Sequence, residues 1–240
     1  SAHFGDGPHD GCALLTGEEG EITMGNPDFL YFLYKLGMRM MTLTWNYENS
    51  LGFPNVRLDK KASASSDRYC LSQNKGLKEQ GIVFLEEMER LGMIIDVSHL
   101  SDAGFYDVLE HTTKPFVASH SNARSVCPAV RNLTDDMVRR LAERGGITGI
   151  NFCKEFLGKP DVSQNYLDQA VVHMKYLINL GGEDFVALGS DFDGITRYHD
   201  LSDCSVMPKL VHTMKKAGLT PTQIEKICYK NTLRVYRELL

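Results

Sequence analysis

Residues 94–132 read IIDVSHLSDAGFYDVLEHTTKPFVASHSNARSVCPAVRN. Two similar units lie within this stretch. Each is a short apolar run, rich in β-branched residues, that closes on Ser-His: IIDVSH ends at His99 and FVASH at His120. One helix length of chain separates them. Strand, helix and parallel strand form a βαβ unit, whose crossover is almost always right-handed. Parallel neighbours end at the same sheet edge, so the spacing places His99 and His120 side by side at the carboxyl ends of their strands. Ligands of α/β folds bind at that edge, and paired imidazoles there are a candidate metal site.

Working outward, the same alternation continues. Strands are expected near residues 12–16, 39–44, 93–97, 116–119, 146–151 and 185–190, with helices between them. Residues 1–11 carry no periodicity and read as an N-terminal arm; residues 12–240 read as a single α/β domain, either an open doubly wound sheet or a barrel with fewer than its eight units. Ser101 and Thr134 are suited to cap helices, and Thr220-Pro221 reads as a further helix start. The long irregular stretch from Trp45 to Lys75 begins with WNYENSLGFP just past a strand end, which suits a pocket wall or lid. Strands alternating with helices predict a parallel sheet with helices outside it. No Gly-rich phosphate loop follows the first strand, which argues against a nucleotide-binding doubly wound sheet.

The residues directly after the strands are Glu18/Glu19, Trp45-Asn46, His99, His120, Asn151 and Asp191. Most of these are metal-competent or acid–base groups. Imidazole and carboxylate suit a borderline cation such as zinc, and an additional Asp can move a proton. Spacing alone leaves Glu18 and Glu19 as alternatives. The other histidines (His3, His9, His111, His173, His199, His212) fall away from these positions and read as structural or surface residues. Cys127 and Cys153 lie near the same edge without a visible base.

Composition narrows the class. The 240 residues are 42% hydrophobic and 24% charged, with a formal net charge of -5. There is no basic footprint for nucleic acid. The six cysteines form no CxxC pair and read as reduced thiols, which suits a cytoplasmic protein. No apolar run approaches the roughly 20 residues of a membrane span.

The motifs DVSHLSD, FVASHSNARSVCPAVRNLTDD and GSDFDGI, with LLTGEEGE and LGMRMMTLTWNYEN upstream, resemble the membrane (renal) dipeptidase family of zinc metallopeptidases. The resemblance covers nearly all of residues 12–240. It implies a distorted (β/α)₈ TIM-like barrel that cleaves dipeptides, including those with a C-terminal D-residue, by metal-activated water. By the same resemblance Glu19 would bridge two zinc ions and His99 and His120 would ligate the second. Arg131 would grip the substrate carboxylate, and Asp191 would be the acid–base residue. Some members carry a His at the position of Trp45 that polarises the reacting carbonyl; here that contact would pass to a neighbour such as Asn46 or be absent. The family's upstream His-x-Asp pair has no counterpart in residues 1–11. The expectation is therefore a barrel without its first βα units, one complete zinc position, weak activity of this chain alone, and a homodimer covering the open edge. A related metal-dependent amidase or lactonase, or a non-catalytic homologue, are the alternative readings.

Overall fold

The computed structural model describes residues 13–55, 74–162, 164–196 and 200–240. The arm expected over residues 1–11, most of the second half of the Trp45–Lys75 stretch, and His199 lie outside them. Six parallel strands form one sheet: β1 (Leu15–Glu18), β2 (Met38–Thr42), β3 (Ile94–Asp96), β4 (Val117–Ala118), β5 (Ile147–Ile150) and β6 (Val186–Leu188). Their spatial order is their chain order. The alternating pattern of the sequence therefore predicts both the elements and their parallel pairing. The first strand is displaced: expected over residues 12–16, it runs to Glu18, because Thr16, Gly17 and Glu18 pair with Met40, Met41 and Thr42.

Helices connect the strands: α1 (Pro27–Lys35), α2 (Glu79–Leu91), α3 (Asp102–His111), α4 (Asp135–Glu143), the short α5 (Lys154–Leu157), α6 (Tyr166–Gly181), α7 (Met207–Lys216), α8 (Pro221–Glu225) and α9 (Asn231–Leu239). Their starts are set by the expected chemistry. The Ser101 side chain accepts from Gly104 N–H, Thr134 from Met137 N–H and Thr220 from Gln223 N–H, each satisfying a donor that the first helical turn leaves open. The short α5 carries too little periodicity to be expected from the sequence.

One face of the sheet packs against the helices. Met41, Ile95, Phe116 and Ile150 join Phe84, Leu85, Phe105, Val108, Leu141 and Met174 in the main core. Each such side chain contributes roughly 1.5–3 kcal/mol by leaving water. On the opposite face, Met40, Ile94, Val117, Ile147 and Ala187 form a second cluster, closed by Val235 of α9 with Tyr236 and Leu239 beside it. Burial on both faces is the reason the strands read as continuous apolar runs. The β1 side is different: Leu15, Phe32 and Leu36 are 54–61% exposed.

Register carries the fold to the site. Glu18 pairs with Thr42, Thr42 with Asp96, and Asp96 with Val117. His99 lies three residues beyond Asp96, and His120 three beyond Val117. The two histidines thus stand level, as the Ser-His repeat predicts. Close strand packing fixes this edge further. A Cβ at Gly149 or Gly189 would fall 2.0 or 1.9 Å from the Ser119 carbonyl oxygen, a space only glycine leaves open.

Candidate metal centre and cavity

Three side chains converge at the carboxyl edge. His99 Nε2 and His120 Nε2 are 2.8 Å apart, and Glu18 Oε1 lies 3.0 Å from the first and 3.4 Å from the second. Both imidazoles are buried. Burial, reinforced by the Arg131 charge, pushes the His99 imidazole well below its ordinary pKa and so keeps it neutral. The facing imidazoles hold the Glu18 carboxyl far below the usual carboxylate range. Neutral imidazole and ionised carboxylate are the protonation states that bind a cation.

The remaining ring nitrogens are occupied. His99 Nδ1 is 2.9 Å from Asn46 Oδ1, and His120 Nδ1 is 2.7 Å from the Ser119 hydroxyl. Those partners leave Nε2 of each ring directed at Glu18. Only a proton or a cation can bridge three such atoms. Among the described residues this is the one group of His, Cys, Asp and Glu side chains with metal-ligand spacing, and its N/O donor set fits a divalent cation such as zinc.

The carboxylate facing the histidines is Glu18, whereas the family resemblance gives that place to Glu19. Strand β1 extends to Glu18, so the pleat aims Glu18 at the pair and turns Glu19 elsewhere. Glu19 Oε1 accepts from Asn49 Nδ2 at 2.5 Å and Glu21 N–H at 3.0 Å, and Oε2 accepts from Trp45 N–H at 3.2 Å. It ties the WNYEN loop to the end of β1. Nothing in the strand-end spacing distinguished the two; the position of the last paired residue did.

Glu18, Glu19, Trp45, Asn46, His99 and Asp191 line a cavity of about 460 Å³, completed by Cys153, Glu155, Phe156 and Gly194–Thr196. Asp191 follows β6. Burial raises its carboxyl above the usual range, against the opposing pull of His120 and Asn151. Asn151 Nδ2 donates to Asp191 Oδ2 at 3.1 Å. A Cβ at Gly194 would stand 2.1 Å from Oδ1, so glycine at 194 keeps that oxygen clear. His99, Asp191 and Glu19 all have left-handed or otherwise positive φ, at 69°, 60° and 125°. Non-glycine residues in these regions are strained, and strain of this kind gathers at functional sites.

Arg131 is buried and does not line this cavity. Its guanidinium stands 5.5 Å from the centre of the Phe156 ring, which does, and its charge bears on both His99 and Asp191. Cys153 is on the wall, but burial, with Glu155 accepting from its thiol at 3.0 Å, pushes its pKa up to about 12. That keeps it a thiol and removes it as a nucleophile. His173 lies in α6, far along the chain from these groups. It accepts from Ala123 N–H and lies 3.0 Å from Leu157 O, a structural role as expected.

The chain has relatives among known proteins. The sequence profile described as membrane dipeptidase (peptidase family M19) matches residues 6–239. An uncharacterised protein from the pqqA 5′ region of Klebsiella pneumoniae is 38% identical over 88% of this chain and 75% of its own length. The dipeptidase TcpJ of Claviceps purpurea is 34% identical over 95% of this chain and 51% of its own. The metallopeptidase of Rhodobacter sphaeroides, solved with a phosphinate mimic of the dipeptide L-Ala-D-Ala, superposes with a TM-score of 0.83. It is 30% identical, covering 95% of this chain and 63% of that one. The chain therefore spans between about half and three quarters of the length of these relatives, and its six-stranded parallel sheet has the barrel-type α/β fold of the solved metallopeptidases. A profile match across almost the whole chain shows its affiliation: it belongs to the membrane dipeptidase family, peptidase family M19.

Proposed function

We propose that this chain carries the catalytic half-site of a zinc-dependent dipeptidase. The observation that carries the reading is the convergence of Glu18, His99 and His120 on one point at the wall of a cavity that Asp191 also lines. Those three side chains would hold one zinc ion, with Glu18 in the place first given to Glu19. When bound, zinc supplies Lewis-acid polarisation and lowers the pKa of a coordinated water.

The protein's own groups supply the rest. Asp191 accepts a proton at Oδ1 and returns it to the leaving amine. Its raised pKa matches it to that exchange, and Asn151 fixes the other oxygen so that the free one faces the cavity. The positive charge of Arg131 favours the free carboxylate of a dipeptide on the Phe156 side, a role suited to a planar fork donor. Asn46 lines the cavity beside His99, which supports a contact from it to substrate. A cavity of this size suits a small peptide rather than a folded protein. The neighbour's ligand mimics L-Ala-D-Ala, and we take dipeptides with a C-terminal D-residue as the substrate class.

Among the described residues no helix is long and apolar enough to cross a membrane. The four described cysteines are free thiols, which supports a reducing, cytoplasmic setting. The test is metal analysis of the purified chain beside hydrolysis of L-Ala-D-Ala with added zinc. About one equivalent of zinc and measurable release of alanine are expected. A chain that binds no zinc and releases none overturns the reading.

A further inference from the structure

At the end of β3 a carboxylate is buried completely: Asp96 has no exposed surface. Buried acids of this kind are rare unless their oxygens are satisfied. Four donors meet it. Oδ1 accepts from Ser98 N–H at 3.0 Å and Ser119 N–H at 2.8 Å. Oδ2 accepts from the Thr42 hydroxyl at 2.6 Å and the Ser119 hydroxyl at 2.5 Å. The side chain thus joins the ends of β2, β3 and β4, directly beneath the metal centre.

The Ser119 hydroxyl has one proton, and the short contact gives it to Asp96. Toward its second partner, His120 Nδ1 at 2.7 Å, the same oxygen can then only accept. His120 Nδ1 must therefore carry a ring proton, and whenever the ring is neutral its Nε2 presents a lone pair. The backbone agrees with this arrangement, since His120 N–H donates to the Ser98 hydroxyl at 3.0 Å and holds the residue in place. We propose that Asp96, acting through the Ser119 hydroxyl, is a positioning residue that fixes the tautomer of His120 and reserves Nε2 for the cation. The inference rests on the zinc reading for its purpose, but the proton order it describes does not need the metal.

The arrangement has a consequence that a simple strand clamp lacks. In Asp96→Asn the amide oxygen can keep both backbone donors. The amide nitrogen then replaces Oδ2 and donates to the two hydroxyls. Ser119, relieved of its acceptor, turns its proton to His120 Nδ1. The ring proton moves to Nε2, and the nitrogen aimed at Glu18 and His99 is blocked. One atom changes and the shape stays, yet every hydrogen bond along the relay reverses.

The experiment is long-range ¹H–¹⁵N spectroscopy of the ¹⁵N-labelled, metal-free chain at about pH 8, above the ordinary imidazole range. His120 is assigned by comparison with His120→Gln. Zinc affinity is measured in parallel by competition with a chromophoric chelator. Wild type is expected to show His120 protonated at Nδ1. Asp96→Asn should show it protonated at Nε2, with zinc bound roughly 10- to 100-fold more weakly, the usual effect of removing a ligand's outer partner. Ser119→Ala, which breaks the relay without reversing it, should give mixed tautomers and a smaller loss. Ser119→Thr, which restores the hydroxyl, should recover both; this pair decides the matter if Asp96→Asn does not fold. An Nδ1-protonated His120 in Asp96→Asn, or unchanged tautomers in Ser119→Ala, overturns the proposal. Normal zinc binding without tautomer reversal removes the relay and leaves the metal reading standing. Reversal in a chain that binds no zinc does the opposite.

Discussion

Two buried histidine sites in this molecule differ in one respect. At His173, in the middle of α6, both ring nitrogens are engaged by backbone, one accepting from Ala123 and the other directed at Leu157 O. At His99 and His120, one nitrogen of each ring is held by Asn46 or Ser119, and the other is left facing Glu18. All three rings are buried, so burial does not separate a structural imidazole from a proposed ligand. The number of ring nitrogens that the fold leaves uncommitted does.

The strongest way to break this comparison is to remove an uncommitted ring. His120→Ala should weaken zinc by well over 100-fold and lower dipeptide turnover by about 10³-fold, roughly 4 kcal/mol in the barrier. Thermal unfolding of the metal-free chain should change little. A large loss of fold with zinc binding retained would place His120 in the structural class.

The second contrast is in pH. Burial lowers the His173 pKa from 6.5 to about 4. The unfolded chain therefore takes up a proton at this residue before the folded one does. The stability it contributes is complete above about pH 6.5 and is lost as pH falls toward 4, by up to ~3 kcal/mol. Denaturant titrations across that window should show the decline, and His173→Gln should flatten it while leaving zinc stoichiometry intact. An identical slope in the variant would assign the decline to other groups.

Adjacent glutamates sharpen the same distinction. Glu18→Gln should weaken zinc by about 100-fold, roughly 2.7 kcal/mol, because a charged ligand becomes a neutral one. Glu19→Gln should change affinity less than about threefold and act on the WNYEN loop. Equal effects, or the reverse order, would restore Glu19 to the ligand position. An effect between those of Glu18 and Glu19 is expected at Asn46. Its replacement by Ala frees His99 Nδ1, and about tenfold weaker zinc is the corresponding loss, read by the same chelator competition. No change there would mean that β3 alone orients His99.

These contrasts also mark what could be read along the chain. The two Ser-His units revealed β3, β4 and the level placement of His99 and His120, because a βαβ unit leaves its strands little choice of direction or register. Glu18 and Glu19 could not be separated in this way. A strand's last residue is uncertain by one or two positions, and one residue of slip moves every side chain to the other face. Arg131 was legible through the family resemblance but not as a buried residue, since it packs near the Phe156 ring, which arrives from elsewhere in the chain. Asp96 was overlooked despite a visible signal. An acid inside the apolar run IIDV, in a strand buried on both faces, must find donors, and Thr42, Ser98 and Ser119 supply them.

Because the strands lie in the sheet in the order in which they occur in the chain, assembly can be vectorial. Each strand leaving the ribosome meets a partner already made, with no wait for a distant segment. His99 and His120 can be aligned once β4 has emerged beside β3. Asp191 follows on the order of ten seconds later, at about 5–20 residues per second. During translation, then, the paired imidazoles of the cavity are aligned before the carboxylate that faces them across it, Asp191, has been synthesised.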